Sequence, residues 1–286
     1  MLVLRLALTC DDAPTIRAAP PLVQRDPARM DRLRIALRQQ GVESCVAFVI
    51  GAEASDAGPL RRWLEAGYEL GNHTHEHPAA SAAGPEPFLE SVARCDARLD
   101  ALGAWPSGAP KWFRFPYLDH GADPEARARI AQGLRAMGYR IAHATVDLHD
   151  DRFEEALAHA EARGAWLRAE LVGARYRHTA DRALARARAS LGPSTPQVPY
   201  FHFGAVSERF VAGVLRRWRR AGARFCGLDE ALSHPELQRE EGTGLLLGRR
   251  RPPLLERLGR RAQRLHNRLD PSRGRWVGPP WPRVRG

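Results

Sequence analysis

At 286 residues, 44% of them hydrophobic, the chain can bury one sizeable core, and its length suits one large α/β domain with or without an appendage. No apolar run is long enough to span a bilayer. The four scattered cysteines form no CxxC pair, which argues against a zinc ribbon or a disulfide framework, and the net charge of +11 is concentrated in one segment.

Taken in order, short apolar or β-branched runs alternate with helical patterns. Leu2–Thr9 reads as a first strand, with Asp11 and Asp12 just beyond it. Asp26 and Pro27 form a helix start, and Gly41 ends that helix. Cys45–Ile50 is a second strand, Asp56–Ala66 a helix stopped by Gly67, and Tyr68–Gly71 a third strand. Glu86–Leu102, closed by Gly103, is helical, and Lys111–Phe115 is a fourth strand. Asp123 with Pro124 opens a helix that ends at Gly138; Arg140–Val146 follows as a fifth strand. Arg152–Leu191, rich in Ala and Arg, has room for two helices. Val198–Phe203 is a sixth strand, Ser207 opens a helix ending at Gly222, and Ala223–Cys226 is a seventh strand. This alternation predicts a parallel sheet with crossover helices, and the pattern alone leaves open whether the sheet closes into a barrel.

After Leu237 the pattern fails. Gly, Pro and Arg dominate, with room for one amphipathic helix over Leu254–Leu269. The expected division is therefore a catalytic body over residues 1–236 and a basic, flexible Pro/Arg-rich tail over 237–286. Gly242 to Gly286 holds twelve arginines against Glu256 and Asp270, so +10 of the +11 belongs to this tail. Its charge suits weak contact with anionic surfaces, but nothing in it resembles a sequence-reading nucleic-acid module. Met1–Leu8 is apolar but too short, and too closely followed by Asp11 and Asp12, to be a signal peptide. With reduced thiols this gives a cytoplasmic expectation; export would need a start upstream of Met1.

The unusual polar residues fall at one place in that pattern. Asp11 and Asp12 follow the first strand; His73, His75 and His77 the third; Arg114 and Tyr117 the fourth; Asp147, His149, Asp150 and Asp151 the fifth; His202 ends the sixth. All are C-terminal strand ends, where sites of parallel α/β proteins assemble. Two histidines and a carboxylate (His73, His77 and Asp12) suit a catalytic divalent cation that keeps positions open for water. Asp11 is placed to take a proton from that water, and His202 to give one to a leaving group.

These motifs resemble those of the polysaccharide deacetylase (NodB-like, carbohydrate esterase) family. The first reads Thr9-Cys10-Asp11-Asp12, the second His73-Thr74-His75-Glu76-His77, the third Arg114-Phe115-Pro116-Tyr117, the fourth Asp147-Leu148-His149-Asp150-Asp151, and the fifth, loosely, Tyr200-Phe201-His202. The match runs from about Leu4 to Leu232. It implies a distorted (β/α) barrel of about seven parallel strands with outer helices. It also implies Asp11 as general base and Asp12, His73 and His77 as ligands of a divalent metal, zinc first, with cobalt or another ion suiting the same donors. Arg114 would orient Asp11, the Tyr117 backbone N–H would hold the oxyanion, and His202 would be the acid. Asp150, with Asp147 as second choice, would support His202. The implied reaction is removal of N-acetyl or O-acetyl groups from a sugar or glycan-like substrate. Alternatives are a hydrolase of small non-peptide amides and a non-catalytic glycan- or metal-binding domain. Cys10 stands where the family has an aromatic residue, and Asp151 where it has Trp; these departures touch the substrate wall rather than the metal ligands.

Overall fold

The computed structural model describes residues 3–16, 26 and 28–239. Leu2, Pro27 and everything from residue 240 onward, including the predicted Leu254–Leu269 helix and most of the predicted tail, lie outside the described residues. The strands are β1 (Arg5–Leu6), β2 (Leu8–Ala13), β3 (Cys45–Val49), β4 (Glu69–Asn72), β5 (Lys111–Phe113), β6 (Tyr139–Ile141), β7 (Val146–Asp147), β8 (Pro199–His202) and β9 (Arg224–Phe225). The helices are α1 (Ala28–Gln39), α2 (Gly58–Glu65), α3 (Ala80–Ala83), α4 (Pro85–Asp100), α5 (Pro124–Ala136), α6 (Glu154–Ala162), α7 (Trp166–Leu191), α8 (Ala205–Arg220), α9 (Leu228–Leu232) and α10 (Pro235–Arg239). The last of these straddles the boundary expected after residue 236, with Leu237 buried.

Seven strands form one all-parallel sheet in the order β6-β5-β4-β3-β2-β8-β7. Its two edge strands, β6 and β7, are consecutive in the chain and separated only by Ala142–Thr145. Four residues reach little more than ~14 Å, so the sheet must curl until its edges nearly meet. The result is a distorted barrel with helices outside, as expected. The predicted single strand Arg140–Val146 is thus two half-strands on opposite edges. In the step between them, Thr145 turns to the other edge: its N–H donates to Val198 O, and its hydroxyl accepts from Val198 N–H.

Two other expectations change. The first strand breaks at Ala7, and its second part runs on through Ala13, carrying Asp11 and Asp12 inside the ladder. The predicted seventh strand does not join the main sheet. As β9 it pairs with β1, a parallel two-stranded patch fixed by Arg5↔Arg224 and Leu6↔Phe225. The helix starts hold where capping chemistry is present: the Asp123 side chain accepts from Ala126 N–H, and Asp26 from Ala28 N–H.

The outer layer buries a large cluster that joins Met30, Leu33 and Leu37 of α1 to Trp63 of α2, Phe203, and Phe210 and Leu215 of α8. Inside the curl a smaller cluster unites Val46, Phe48, Trp112 and Val198, with Leu228, Leu232 and Leu237 packed on it. Arg114 lies over the Phe48 ring at 4.6 Å and the Tyr200 ring at 5.6 Å. The barrel interior is therefore apolar below and charged above, and the charged end is where the strands finish.

Candidate metal centre and its acid–base flanks

Neighbouring residues of a strand point to opposite faces, yet Asp11 and Asp12 are both buried at the same end of the barrel. The register of β2 on β3 shifts between Cys10 and Ala13, and Asp12 has φ +60°. Such a bulge re-aims a side chain, so one dipeptide supplies two carboxylates to one pocket. Thr74, His77 and Tyr117 also have positive φ, as do Leu118 and His149. Left-handed backbone at non-glycine residues is costly and gathers where a site over-determines geometry.

Asp12 Oδ1 lies 3.2 Å from His77 Nε2 and 3.5 Å from His73 Nε2, and the two ring nitrogens are 3.2 Å apart. Zinc–ligand bonds of about 2.0–2.1 Å at tetrahedral angles place donor atoms about 3.3–3.4 Å apart. The triangle therefore fits a tetrahedral divalent ion with one face of donors from the protein. His73 Nδ1 lies 2.8 Å from Arg114 O; donation there fixes the tautomer that leaves Nε2 as a lone-pair donor. Burial pushes the Asp12 carboxyl up, but His77 and His73 beside it hold it well below the usual carboxylate range.

Asp11 occupies one flank. Arg114 Nη1 is 3.3 Å from both Asp11 oxygens, while Nε donates to Ala142 O at 2.6 Å and Nη2 to Thr9 Oγ1 at 3.1 Å. The guanidinium is buried and every nitrogen has a protein acceptor, so it is held as a rigid positive plate behind the Asp11 carboxylate. His202 forms the other flank, cross-strand from Asp11. Its Nδ1 is 2.9 Å from Asp150 Oδ1, and Asp150 Oδ2 accepts from His202 N–H at 2.7 Å and Ser207 Oγ at 2.5 Å. Burial alone would favour a neutral imidazole, but the Asp150 charge and hydrogen bond raise the His202 pKa well above its ordinary value.

The sequence left two aspartates for that support. The structure sets Asp150 against His202 and gives Asp147 to His149 instead, with His149 N–H donating to Asp147 Oδ1 at 2.7 Å and its Nδ1 at 2.9 Å from Oδ2. Tyr117 sits at the mouth, half exposed, its ring edge-on to His77 at 4.6 Å between centroids. Phe153, two residues after Asp151, packs on Tyr176. Sequence reasoning did not single out Asn72 or Glu154, and gave Thr9 and Ser207 no part in the site. Asn72 accepts from Thr74 N–H and donates to Val92 O and Tyr139 Oη, shaping the turn that carries His73 and His77. Ser207 read only as a helix cap, and the helix opens earlier, at Ala205; its hydroxyl goes to Asp150.

Fold and site together define a NodB-like barrel with a two-histidine, one-carboxylate cluster at the strand ends. Residues 4–142 match the family model described as polysaccharide deacetylase. Among solved structures the fold is similar to a CE4 esterase of Streptococcus mutans, at 19% identity and TM-score 0.57 over 79% of this chain and 86% of that one. It is also similar to a peptidoglycan N-acetylglucosamine deacetylase, at 18% identity and TM-score 0.55 over 79% and 87%. A CE4 family pseudoenzyme from Bacillus anthracis matches at 14% identity and TM-score 0.56 over 80% and 65%. At these identities the likeness speaks for the fold.

Proposed function

We propose that the chain is a divalent-metal-dependent deacetylase that hydrolyses N-acetyl, or O-acetyl, groups of a sugar or glycan-like substrate. One observation carries the reading: the Asp12, His73 and His77 donors form a metal-sized triangle, with Asp11 and His202 on either flank. A bound divalent cation would polarise the acyl carbonyl and acidify a water. Asp11, oriented by Arg114, accepts a proton from a water as that water adds to the acyl carbon. The Tyr117 backbone N–H donates to the oxygen on which negative charge develops. His202, charged by virtue of Asp150, delivers its proton to the departing nitrogen or oxygen as the acyl bond breaks, leaving acetate and the free amine or hydroxyl.

The test is metal analysis of the purified protein together with acetate release from N-acetylated sugar oligomers. Stoichiometric divalent metal is expected, lost in His73→Ala. Asp11→Asn and His202→Ala should each lower kcat by roughly a hundredfold or more. Full turnover in any of these three variants would defeat the mechanism. Metal and glycan binding by the wild type without acetate would place it with the catalytically silent members of the fold.

A further inference from the structure

The turn that carries two of the three metal donors is neither helix nor strand, so its backbone N–H groups need acceptors that no regular ladder supplies. All five of them, from His73 to His77, are satisfied. His73 N–H donates to Val49 O at the end of β3. Thr74 N–H donates to Asn72 Oδ1 and His77 N–H to Thr74 Oγ1. The two in the middle reach a different element. His75 N–H donates to both O and Oγ of Ser91 at 3.0 Å, and Glu76 N–H to Ser91 Oγ at 3.2 Å.

Ser91 is buried on α4, and its hydroxyl is fully used. It accepts from two N–H groups and donates its own proton to Glu76 Oε2. The next residue of α4 holds the strand end that leads into the turn, since Val92 O accepts from Asn72 Nδ2. On the opposite side there is no slack. Gly51 N–H and Ala52 N–H donate to the carbonyls of Thr74 and His75. A Cβ at Gly51 would lie 2.5 Å from His75 Nδ1 and 3.4 Å from Cys95 Cα. The middle of the turn is wedged between the end of β3 and α4.

That wedge bears on the metal donors because of the backbone between them. The His73 ring is tied to Arg114 O. The place of His77 relative to it follows from the intervening residues, with φ +67° at Thr74 and +61° at His77 itself. Such conformations are costly for residues other than glycine and persist where surrounding bonds impose them. Ser91 supplies two of those bonds from outside the motif.

We infer that Ser91 is a positioning residue for the metal centre: by accepting from the His75 and Glu76 N–H groups, it holds His77 at the separation from His73 that a shared cation needs. Ser91 is no ligand and acts only through the turn. Its loss leaves Glu76 N–H without that acceptor, the middle of the turn relaxes, and the donor triangle loosens. Residues that orient ligands in this way change metal affinity by roughly 10–100-fold when removed. The inference rests on the metal-dependent reading of the site and holds for any acyl substrate.

The experiment measures zinc affinity of the full chain, by competition with a chromophoric chelator, and the visible spectrum of the cobalt-loaded protein. Ser91→Ala is expected to fold, since alanine suits the interior of α4. It should bind zinc roughly tenfold more weakly, or worse, with a shifted cobalt band. Ser91→Thr keeps the hydroxyl and should restore most of the affinity. Val214→Ala truncates the core in α8, which packs on α1 and α7. It should melt at lower temperature yet match the wild type in zinc affinity and cobalt spectrum, which separates positioning from a general loss of stability. Wild-type affinity in Ser91→Ala overturns the inference and leaves the metal-dependent reading standing. Equal weakening in Val214→Ala overturns it as well. A wild type that binds neither zinc nor cobalt removes the metal-dependent reading itself, and this inference with it.

Discussion

Arg114 shows how much one buried residue organises. Its side chain bridges Asp11, Thr9 and Ala142 O, and its carbonyl meets His73 Nδ1. Arg114→Met would leave the Asp11 charge buried without its counter-ion, and breaking such a pair costs on the order of 3–5 kcal/mol. Urea unfolding should show that loss; a variant as stable as the wild type would mean that Asp11 takes up a proton or another partner. His202 and Asp150 give a second residue-scale prediction. With Asp150 ionised, the charged imidazole persists above its ordinary range. The activity that depends on a protonated His202 should therefore hold through neutral pH and fall on the alkaline side. Asp150→Asn removes the charge that opposes desolvation, so the alkaline limb should move to lower pH, read from kcat against pH. An unmoved limb would assign it to another group. These pairings were partly legible in the sequence, since the motif spacing named Asp11, Arg114, Asp150 and His202. The motif put Asp150 first and Asp147 second, but no local pattern showed why. That choice depends on a 3₁₀ turn over Asp150–Phe153 entered through His149 at φ +56°, a local conformation with no compositional signature.

At the scale of elements, legibility followed the strength of local signals. Glycine stops and proline or aspartate starts placed α1, α4 and α5 to within a few residues. The helix after β8 was mis-started because its N-terminus is capped from a distance. Glu154 Oε2 accepts from Ala205 N–H and Oε1 from Val206 N–H, while Gly204 leaves no Cβ to collide with that carboxyl. A cap supplied by a residue fifty positions away has no sequence pattern. Burial raises the Glu154 pKa to about 7 although those two N–H donors work to lower it. The sign follows directly: between about 4.5 and 7 the unfolded chain has released this proton and the folded chain still holds it. This group therefore takes stability away as pH rises through that window. The slope should be visible in thermal unfolding from pH 4.5 to 7 and absent in Glu154→Ala. That variant loses about 1–2 kcal/mol of capping at low pH. The tight approach at Gly71 is testable in the same way. An added Cβ would lie 2.5 Å from the Phe48 ring and 3.1 Å from Trp112 O. Gly71→Ala should cost about 1–3 kcal/mol through displaced packing under Arg114.

Across the whole molecule, closure was the feature that periodicity could not decide. Seven strand signals were visible in the sequence, but one was two half-strands and another belonged to a separate patch. The short step from β6 to β7 curls the sheet, and curling brings the ends of β2, β4, β5 and β8 to a common mouth. The three donor residues come from β2 and from the turn after β4, two strands separated by β3. A cation held there ties the sheet across that strand, and an ion that binds only the folded chain stabilises it by mass action. At a hundredfold excess over its dissociation constant the gain is about 2.7 kcal/mol. For a domain of this size that corresponds to a rise of roughly 5–10 °C in Tm. Chelation should therefore lower the melting temperature of the wild type by several degrees, and re-addition of zinc or cobalt should restore it. His73→Ala, lacking one corner of the triangle, should melt alike with and without metal. Identical melting of the wild type in chelator and in added metal would mean that the triangle holds no ion, whatever the spacing of its donors.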